Sequence, residues 1–380
     1  MSENGRKYDP DKDITFLCAE SRKYNTIEPG DYRRYSVKRG LRNDDGSGVM
    51  AGLTKICNVH GYVMDEGEKA AVEGKLIYRG VDLEDIVNAC IDENRFGYEE
   101  VAWLLLYGKL PTQHQLDVFN RALARQRELP GTFVDDIIIK APSANIMNVL
   151  QRATLALYTY DEDPDGLTLE NIMRQSISLI AKMPSMMVAA YQVKRRTYDH
   201  KSMYFHHPKR EYTVAQNILR TMRSDKQFTD EEAKMLDLCL ILHAEHGGGN
   251  NSTFATRVLT STATDTYSAV SAGIGSLKGP RHGGANAKVM EMMEHIKANV
   301  SNWEDETEIV RFIEKLFDKQ AGDGSGLIYG MGHAVYTLSD PRARLLKKYA
   351  ERMVAGTEFE AEYRLLERVE KLSPAVFRSK

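Results

Sequence analysis

Three clusters in this 380-residue chain set an imidazole beside glycines: His243-Ala244-Glu245-His246-Gly247-Gly248-Gly249, Gly279-Pro280-Arg281-His282-Gly283-Gly284, and Gly330-Met331-Gly332-His333. Glycine lets a ligand or a second backbone approach closely, and imidazole gives or takes a proton near neutral pH. A fourth group, Arg342 in Ser339-Asp340-Pro341-Arg342, offers a planar fork that takes a carboxylate through two parallel hydrogen bonds. Together these residues supply donors for a di-acid and an enol, with no metal ligand set and no evident nucleophile. The chemistry they suit is carbonyl chemistry on an anionic substrate.

Each cluster also has a plainer reading. Thr229 and Glu232 form a T-x-x-E capping box, and Met235, Leu238, Cys239 and Leu242 give the helix a buried stripe. His246 continues that stripe one turn on, until the glycine run stops the helix. His243 and His246 then share a face at its C-terminal end, where the helix dipole favours a protonated imidazole facing a substrate carboxylate or carbonyl. Histidines in a last turn are equally at home as C-caps, and H-A-E-H lacks the i, i+4 spacing of a zinc helix. His282 falls just before the helical pattern Val289, Met292, Met293 and Ile296. A helix N-terminus disfavours a second proton, so a neutral ring there can donate to a developing enolate oxygen; a loop histidine among turn glycines has the same local sequence. Around Met331, exposed N–H groups could meet a thioester, adenine or phosphate oxygen, but neither G-x-G-x-x-G after a strand nor G-K-[ST] occurs. Asp340 can cap a helix that begins at Pro341, with Arg342 in its first turn. By residue type alone, Arg342 serves as well in a surface ion pair.

The elements that must carry these groups are mainly α-helical. Ile146, Leu150, Ala153 and Leu157 make a one-sided stripe; Val101, Leu104 and Leu105 make another, ended by Gly108 and Pro111; Phe312, Ile313 and Leu316 mark a third. Tyr267 to Leu277 alternates large and small residues, which suits a tightly packed helix or a subunit interface. Gly74 to Arg79 allows one short strand, Asn43 to Gly48 reads as a turn-rich loop, and Thr197 to His207 as an exposed connection.

Composition narrows the classes. Lys and Arg number 51 against 54 Asp and Glu, so the basic excess of a nucleic-acid protein is missing and anions must be held by local groups. Cys18, Cys57, Cys90 and Cys239 are scattered without a CxxC pair, which fits a reducing compartment. The N-terminus lacks the apolar stretch of a signal peptide, and no apolar run is long enough for a membrane span. The reading is a cytoplasmic protein with no membrane or nucleic-acid partner.

At this point the sequence resembles the citrate synthase family. The resemblance rests on H-A-E-H-G-G-G-N-N-S-T from His243, G-P-R-H-G-G-A-N from Gly279 and G-M-G-H-A-V-Y-T-L-S-D-P-R-A from Gly330, with support from Gly40 to Thr54, Lys75 to Gly80 and Pro142 to Asp161. It implies a helical homodimer with a large domain over 1–282 and a small domain over 283–380 that closes on the substrates. It implies condensation of oxaloacetate with acetyl-CoA and water to citrate and CoA, as in the tricarboxylic acid cycle, with no cofactor and no metal. His246, His333 and Arg342 match oxaloacetate positions, with His243 a further candidate; His333 would also polarise and protonate the carbonyl. His282 matches the histidine that stabilises the enol of acetyl-CoA. Leu327, Ile328, Gly330, Met331 and Gly332 match the stretch lining the CoA site.

The sequence also departs from the pattern. The resemblance implies a catalytic Asp in a segment like N-V-D-x-x-S-G after D-P-R, and two further substrate arginines beyond it. Here Leu345 to Met353 and Phe359 to Leu372 give two amphipathic patterns, and no such segment follows them. The expectation is a chain cut short of that segment, with a binding protein that does not turn over as one alternative and a 2-methylcitrate synthase using propionyl-CoA as another. Thr337 stands where some relatives place a basic CoA-phosphate contact.

Overall fold

A computed structural model describes residues 28–34, 49, 52–65, 68–279, 282–331, 336 and 338–379. Asn43 to Gly48, Gly332, His333 and Thr337 lie outside the described residues. The chain forms two compact units, 1–52 and 53–380. Within the first, the described element is helix α1 (Pro29–Arg34).

The second unit opens with a sheet of order β1-β2-β3, made of β1 (Cys57–Asp65), β2 (Glu68–Tyr78) and β3 (Val81–Asp82). Both pairings are antiparallel, and the β1–β2 register slips between His60 and Tyr62. The sheet corrects the expectation of one short strand. Val72, Gly74, Leu76 and Tyr78 do alternate inward along β2. The period is masked because one inward position is a glycine and two consecutive residues of β1, Tyr62 and Val63, are large and apolar yet exposed.

Helices follow: α2 (Leu83–Asp92), α3 (Tyr98–Tyr107), α4 (Gln113–Gln126), α5 (Ile146–Ala156), the long α6 (Leu169–Thr197), α7 (Val214–Met222), α8 (Asp230–Leu242), α9 (Asn251–Thr260), α10 (Thr266–Leu277), α11 (Ala285–Asn299), α12 (Glu306–Phe317), α13 (Pro341–Val354) and α14 (Glu360–Ser379). The stripes expected on α5, α3 and α12 face inward, with Ile146 and Leu105 half-buried and Leu157 just past the end of α5, and Gly108 ends α3 in the left-handed conformation that glycine tolerates. The mainly α class holds.

Several apolar clusters hold these elements, three of them large. Leu76 and Tyr78 of β2 pack with Leu83, Val87, Leu104, Leu238, Ile241 and Leu345, which ties the sheet to α2, α3, α8 and α13. A second cluster joins α5 and α6 through Val149, Ala153, Met186 and Val193, with Tyr267 of α10. The third, from Met292 to Val376, is built of α11, α12, α14 and Ile328. On α10 the small residues serve the chain's own packing: Ser271 Oγ donates to the Gln151 carbonyl at 2.9 Å. No described helix is long and apolar enough to cross a membrane.

Candidate active site

Helix α8 starts as its sequence dictates. The Glu232 amide donates to Thr229 Oγ1 at 3.1 Å, the Thr229 amide donates to Glu232 Oε2 at 2.8 Å, and both ends of Glu232 are gripped by Arg223 at 2.6 and 2.9 Å. The Arg223 fork and the Thr229 amide hold the Glu232 carboxyl down to about 2.

The far end differs from expectation. The helix stops at Leu242, before the glycine run, and His243 is its C-cap. The exposed His243 ring sits over its own helix, with Nδ1 2.7 Å from the Cys239 carbonyl. His246 therefore lies beyond the helix, and the two histidines do not share one helical face. A distant strand braces the exit: Tyr78 Oη lies 3.1 Å from the Ile241 carbonyl in the last turn and 3.0 Å from that of Glu245 just beyond it. The Glu245 carboxylate in turn accepts from the Gly247 amide at 2.7 Å.

The His246 ring stands edge-on to Tyr336, with centroids 5.6 Å apart. Tyr336 belongs to the segment that leads into α13, and this segment lies directly on β2. A Cβ at Gly74 would fall 2.1 Å from the Ser339 carbonyl oxygen and 2.8 Å from the Tyr336 ring, so only glycine allows this docking. Asp340 then caps α13 as anticipated, accepting from the Arg342 amide at 2.9 Å, with Pro341 at the first helical position.

The carboxylate that takes the Arg342 fork is Asp340 itself. Nε donates to Oδ1 at 3.0 Å and Nη2 to Oδ2 at 2.6 Å. One carboxylate thus caps the helix and orients the guanidinium, whose Nη1 stands outside that fork. Arg342 is largely buried and faces the electrostatic reach of Tyr78, Tyr336 and Cys57. Burial, with Glu245 nearby, pushes the Cys57 thiol up to about 12. Cys90 and Cys239 are also raised by burial, so none of these three thiols is a ready nucleophile.

His282 arrives on a different support. It lies two residues before Gly284, the N-cap of α11. Its amide donates to the Gly279 carbonyl at 3.0 Å, and the next amide, that of Gly283, donates to the Leu277 carbonyl at 2.9 Å. A Cβ at Gly283 would lie 2.5 Å from that same oxygen, so the turn requires glycine. The ring reaches the first turn of α9, where Nε2 is 2.8 Å from Ser252 Oγ. Asn250 caps α9, accepting from the Thr253 amide at 2.9 Å and donating back to the Gly247 carbonyl at 2.7 Å. The first histidine cluster thus runs directly into the helix turn that holds the second.

In the third cluster, Gly330 adopts the left-handed conformation, and the Met331 amide donates to the Ile328 carbonyl at 3.3 Å. Leu327 is 59% exposed, whereas Ile328 is 4% exposed and fills the third apolar cluster, with Met331 partly buried against it. Of the apolar pair read as lining, only Leu327 offers its side chain. Among the described residues no group of three or more His, Cys, Asp or Glu side chains is placed to hold a metal ion.

Sequence reasoning passed over Tyr78, Ser252, Tyr336 and the second role of Asp340. Each lies inside a segment singled out above, but its partner is a side chain or carbonyl that spacing cannot reveal. It also missed Asp237. This carboxylate accepts from the Gly97 amide at 2.7 Å and the Tyr98 amide at 3.3 Å, capping α3, whose own N-cap is a glycine. Burial pushes its pKa up to about 7, helped by Glu99. Asp237 lines a cavity of about 710 Å³ with Cys90, Arg95, Arg352 and Phe359; none of His246, His282 and Arg342 lines it.

Comparison with known proteins identifies the family. The family model described as citrate synthase, C-terminal domain, matches residues 45–380. A citrate synthase of Synechocystis sp. is 32% identical over 332 residues, covering 86% of this chain and 73% of the relative. The 2-methylcitrate synthase 1 of Corynebacterium glutamicum is 32% identical over 323 residues, covering 84% and 74%. The crystal structure of citrate synthase from Pyrobaculum aerophilum superposes with a TM-score of 0.69 at 28% identity, covering 89% of this chain and 79% of that one. A glycine-flanked histidine on each of two supports, an arginine oriented by its own helix cap, and a family match over most of the chain lead to one conclusion: this chain belongs to the citrate synthase family of condensing acyltransferases.

Proposed function

We propose that the chain condenses oxaloacetate with acetyl-CoA to give citrate and CoA. The observation that carries this reading is the pairing of an Asp340-oriented Arg342, within electrostatic reach of the Tyr336 whose ring meets His246, with a separately mounted His282 held by Ser252. Arg342 and His246 hold the dicarboxylate keto acid, and His333 hydrogen-bonds its carbonyl. Removal of an α-proton from the thioester by a carboxylate base, a role the resemblance gives to a segment not found among the residues above, puts negative charge on the thioester oxygen, and His282 meets that charge with an N–H. For this the ring must carry its proton on Nδ1. A Ser252 hydroxyl donating to Nε2 favours that tautomer. The enol carbon then attacks the keto carbon, His333 gives its proton to the new alkoxide, and water cleaves the thioester to release CoA.

Leu327, Gly330, Met331 and Gly332, with the backbone at Ile328, are the proposed CoA contacts. The same proposal divides the chain into a large domain over 1–282 and a small one over 283–380. It also takes the active species as a homodimer in the cytoplasm, a setting that suits the free thiols of Cys57, Cys90 and Cys239. Propionyl-CoA is the second candidate acyl donor, because one relative is a 2-methylcitrate synthase and one methylene separates the two thioesters by only about 1–3 kcal/mol. The test is CoA release in the presence of oxaloacetate, measured as kcat/KM for each thioester. The proposal expects oxaloacetate-dependent release with acetyl-CoA favoured. A preference for propionyl-CoA would reassign the substrate, and release that ignores oxaloacetate would refute the condensation.

A further inference from the structure

We infer that Tyr78 is a positioning residue for His246, fixing through its hydroxyl the backbone from which that imidazole addresses the keto acid. The inference rests on the role given to His246 above. Tyr78 closes β2, is fully buried, and is anchored in the first apolar cluster through its ring. Its phenol lies 3.1 Å from the Ile241 carbonyl, 3.0 Å from the Glu245 carbonyl and 3.4 Å from the Glu245 amide. A phenol has one proton to donate and a lone pair to accept with. The two carbonyls therefore share the proton, and the oxygen can receive the amide.

Those groups bracket the end of α8. The Ile241 carbonyl lies in the last turn of the helix, where it also accepts from the Ala244 amide at 3.3 Å, and the Glu245 carbonyl belongs to the peptide that leads into His246. One hydroxyl thus spans the whole exit of the helix. On the other side of His246, the Gly247 amide is fixed by the Glu245 carboxylate at 2.7 Å. The imidazole hangs between two held peptides with its edge against Tyr336. Burial pushes the Tyr78 phenol further up, so it keeps its proton at any working pH.

The test is oxaloacetate binding by calorimetry on the full chain for wild type, Tyr78→Phe, His246→Ala and the double variant. Tyr78→Phe keeps the packed ring and is expected to weaken binding roughly tenfold. In the His246→Ala background the same change is expected to cost less than about twofold, because Tyr78 acts through His246. Equal losses in both backgrounds, or wild-type binding by Tyr78→Phe while His246→Ala is weakened, overturn the inference alone. Wild-type binding by His246→Ala overturns the role of His246 and the inference with it. Hydrogen exchange gives a second check that tolerates a less stable variant. Amides of residues 243–249 are expected to exchange at least tenfold faster in Tyr78→Phe, with those of α12 unchanged. A uniform rise through α12 would mark a general structural role and count against positioning.

Discussion

His246 and Arg342 are braced against a sheet, whereas His282 is held between helices. β2 serves the first pair twice: Tyr78 ties off the exit of α8, and Gly74 receives the segment that carries Tyr336, Asp340 and Arg342. These contacts join residues far apart in sequence. His282 depends on a turn closed within a few residues, by Gly279 and Leu277, and on one side-chain bond to Ser252. The keto-acid side is thus a product of long-range packing, and the thioester side is mostly local. Lesions should separate along that line.

The largest expected effect falls on the thioester side. His282→Ala should lower the condensation rate by about 10²–10⁴ when assayed as CoA release at saturating oxaloacetate. A drop of less than tenfold would remove His282 from the chemistry. A matched pair of glycine substitutions sharpens the contrast. Gly74→Ala drives a methyl into the Ser339 carbonyl and Gly283→Ala drives one into the Leu277 carbonyl, at 2.1 and 2.5 Å. Each is expected to cost about 1–3 kcal/mol in chemical denaturation. Gly74→Ala should mainly raise KM for oxaloacetate, and Gly283→Ala should mainly lower kcat. The opposite assignment, or equal changes in both constants, would break the division.

The effect furthest from the chemistry concerns pH. Asp237 sits on α8, the helix that leads to His246, and its folded pKa of about 7 stands above the ordinary carboxylate value. Between about pH 4 and 7 the folded chain therefore binds more protons than the unfolded chain, and stability falls as pH rises through that window. The loss is on the order of 2–4 kcal/mol at most, since Asp237 borders an open cavity. Asp237→Asn keeps an acceptor for the Gly97 amide, so urea midpoints across pH 5 to 8 should show a flatter slope. An unchanged slope would place the titration elsewhere.

Much of this arrangement was legible in the sequence. The Thr229 box and the Asp340-Pro341 cap are local signals with local causes, and each forms as its residues require. The end of α8 was not legible, because the group that braces its exit is Tyr78 on a distant strand. The hairpin was hidden by Gly74 at an inward position and by exposed apolar residues on β1. Arg342 shows the limit most clearly. Spacing revealed a cap and a fork as separate features, while geometry joins them in one carboxylate, which no count of residues between Asp340 and Arg342 could establish.

The central claim is that Arg342 belongs to the keto acid and His282 to the thioester. Calorimetric titration of oxaloacetate into wild type, Arg342→Ala and His282→Ala tests it most directly. The account predicts a loss of roughly a hundredfold in affinity for Arg342→Ala, as removal of a buried charged fork implies, and a change of less than about twofold for His282→Ala. Equal losses in the two variants, or undiminished binding by Arg342→Ala, would contradict it.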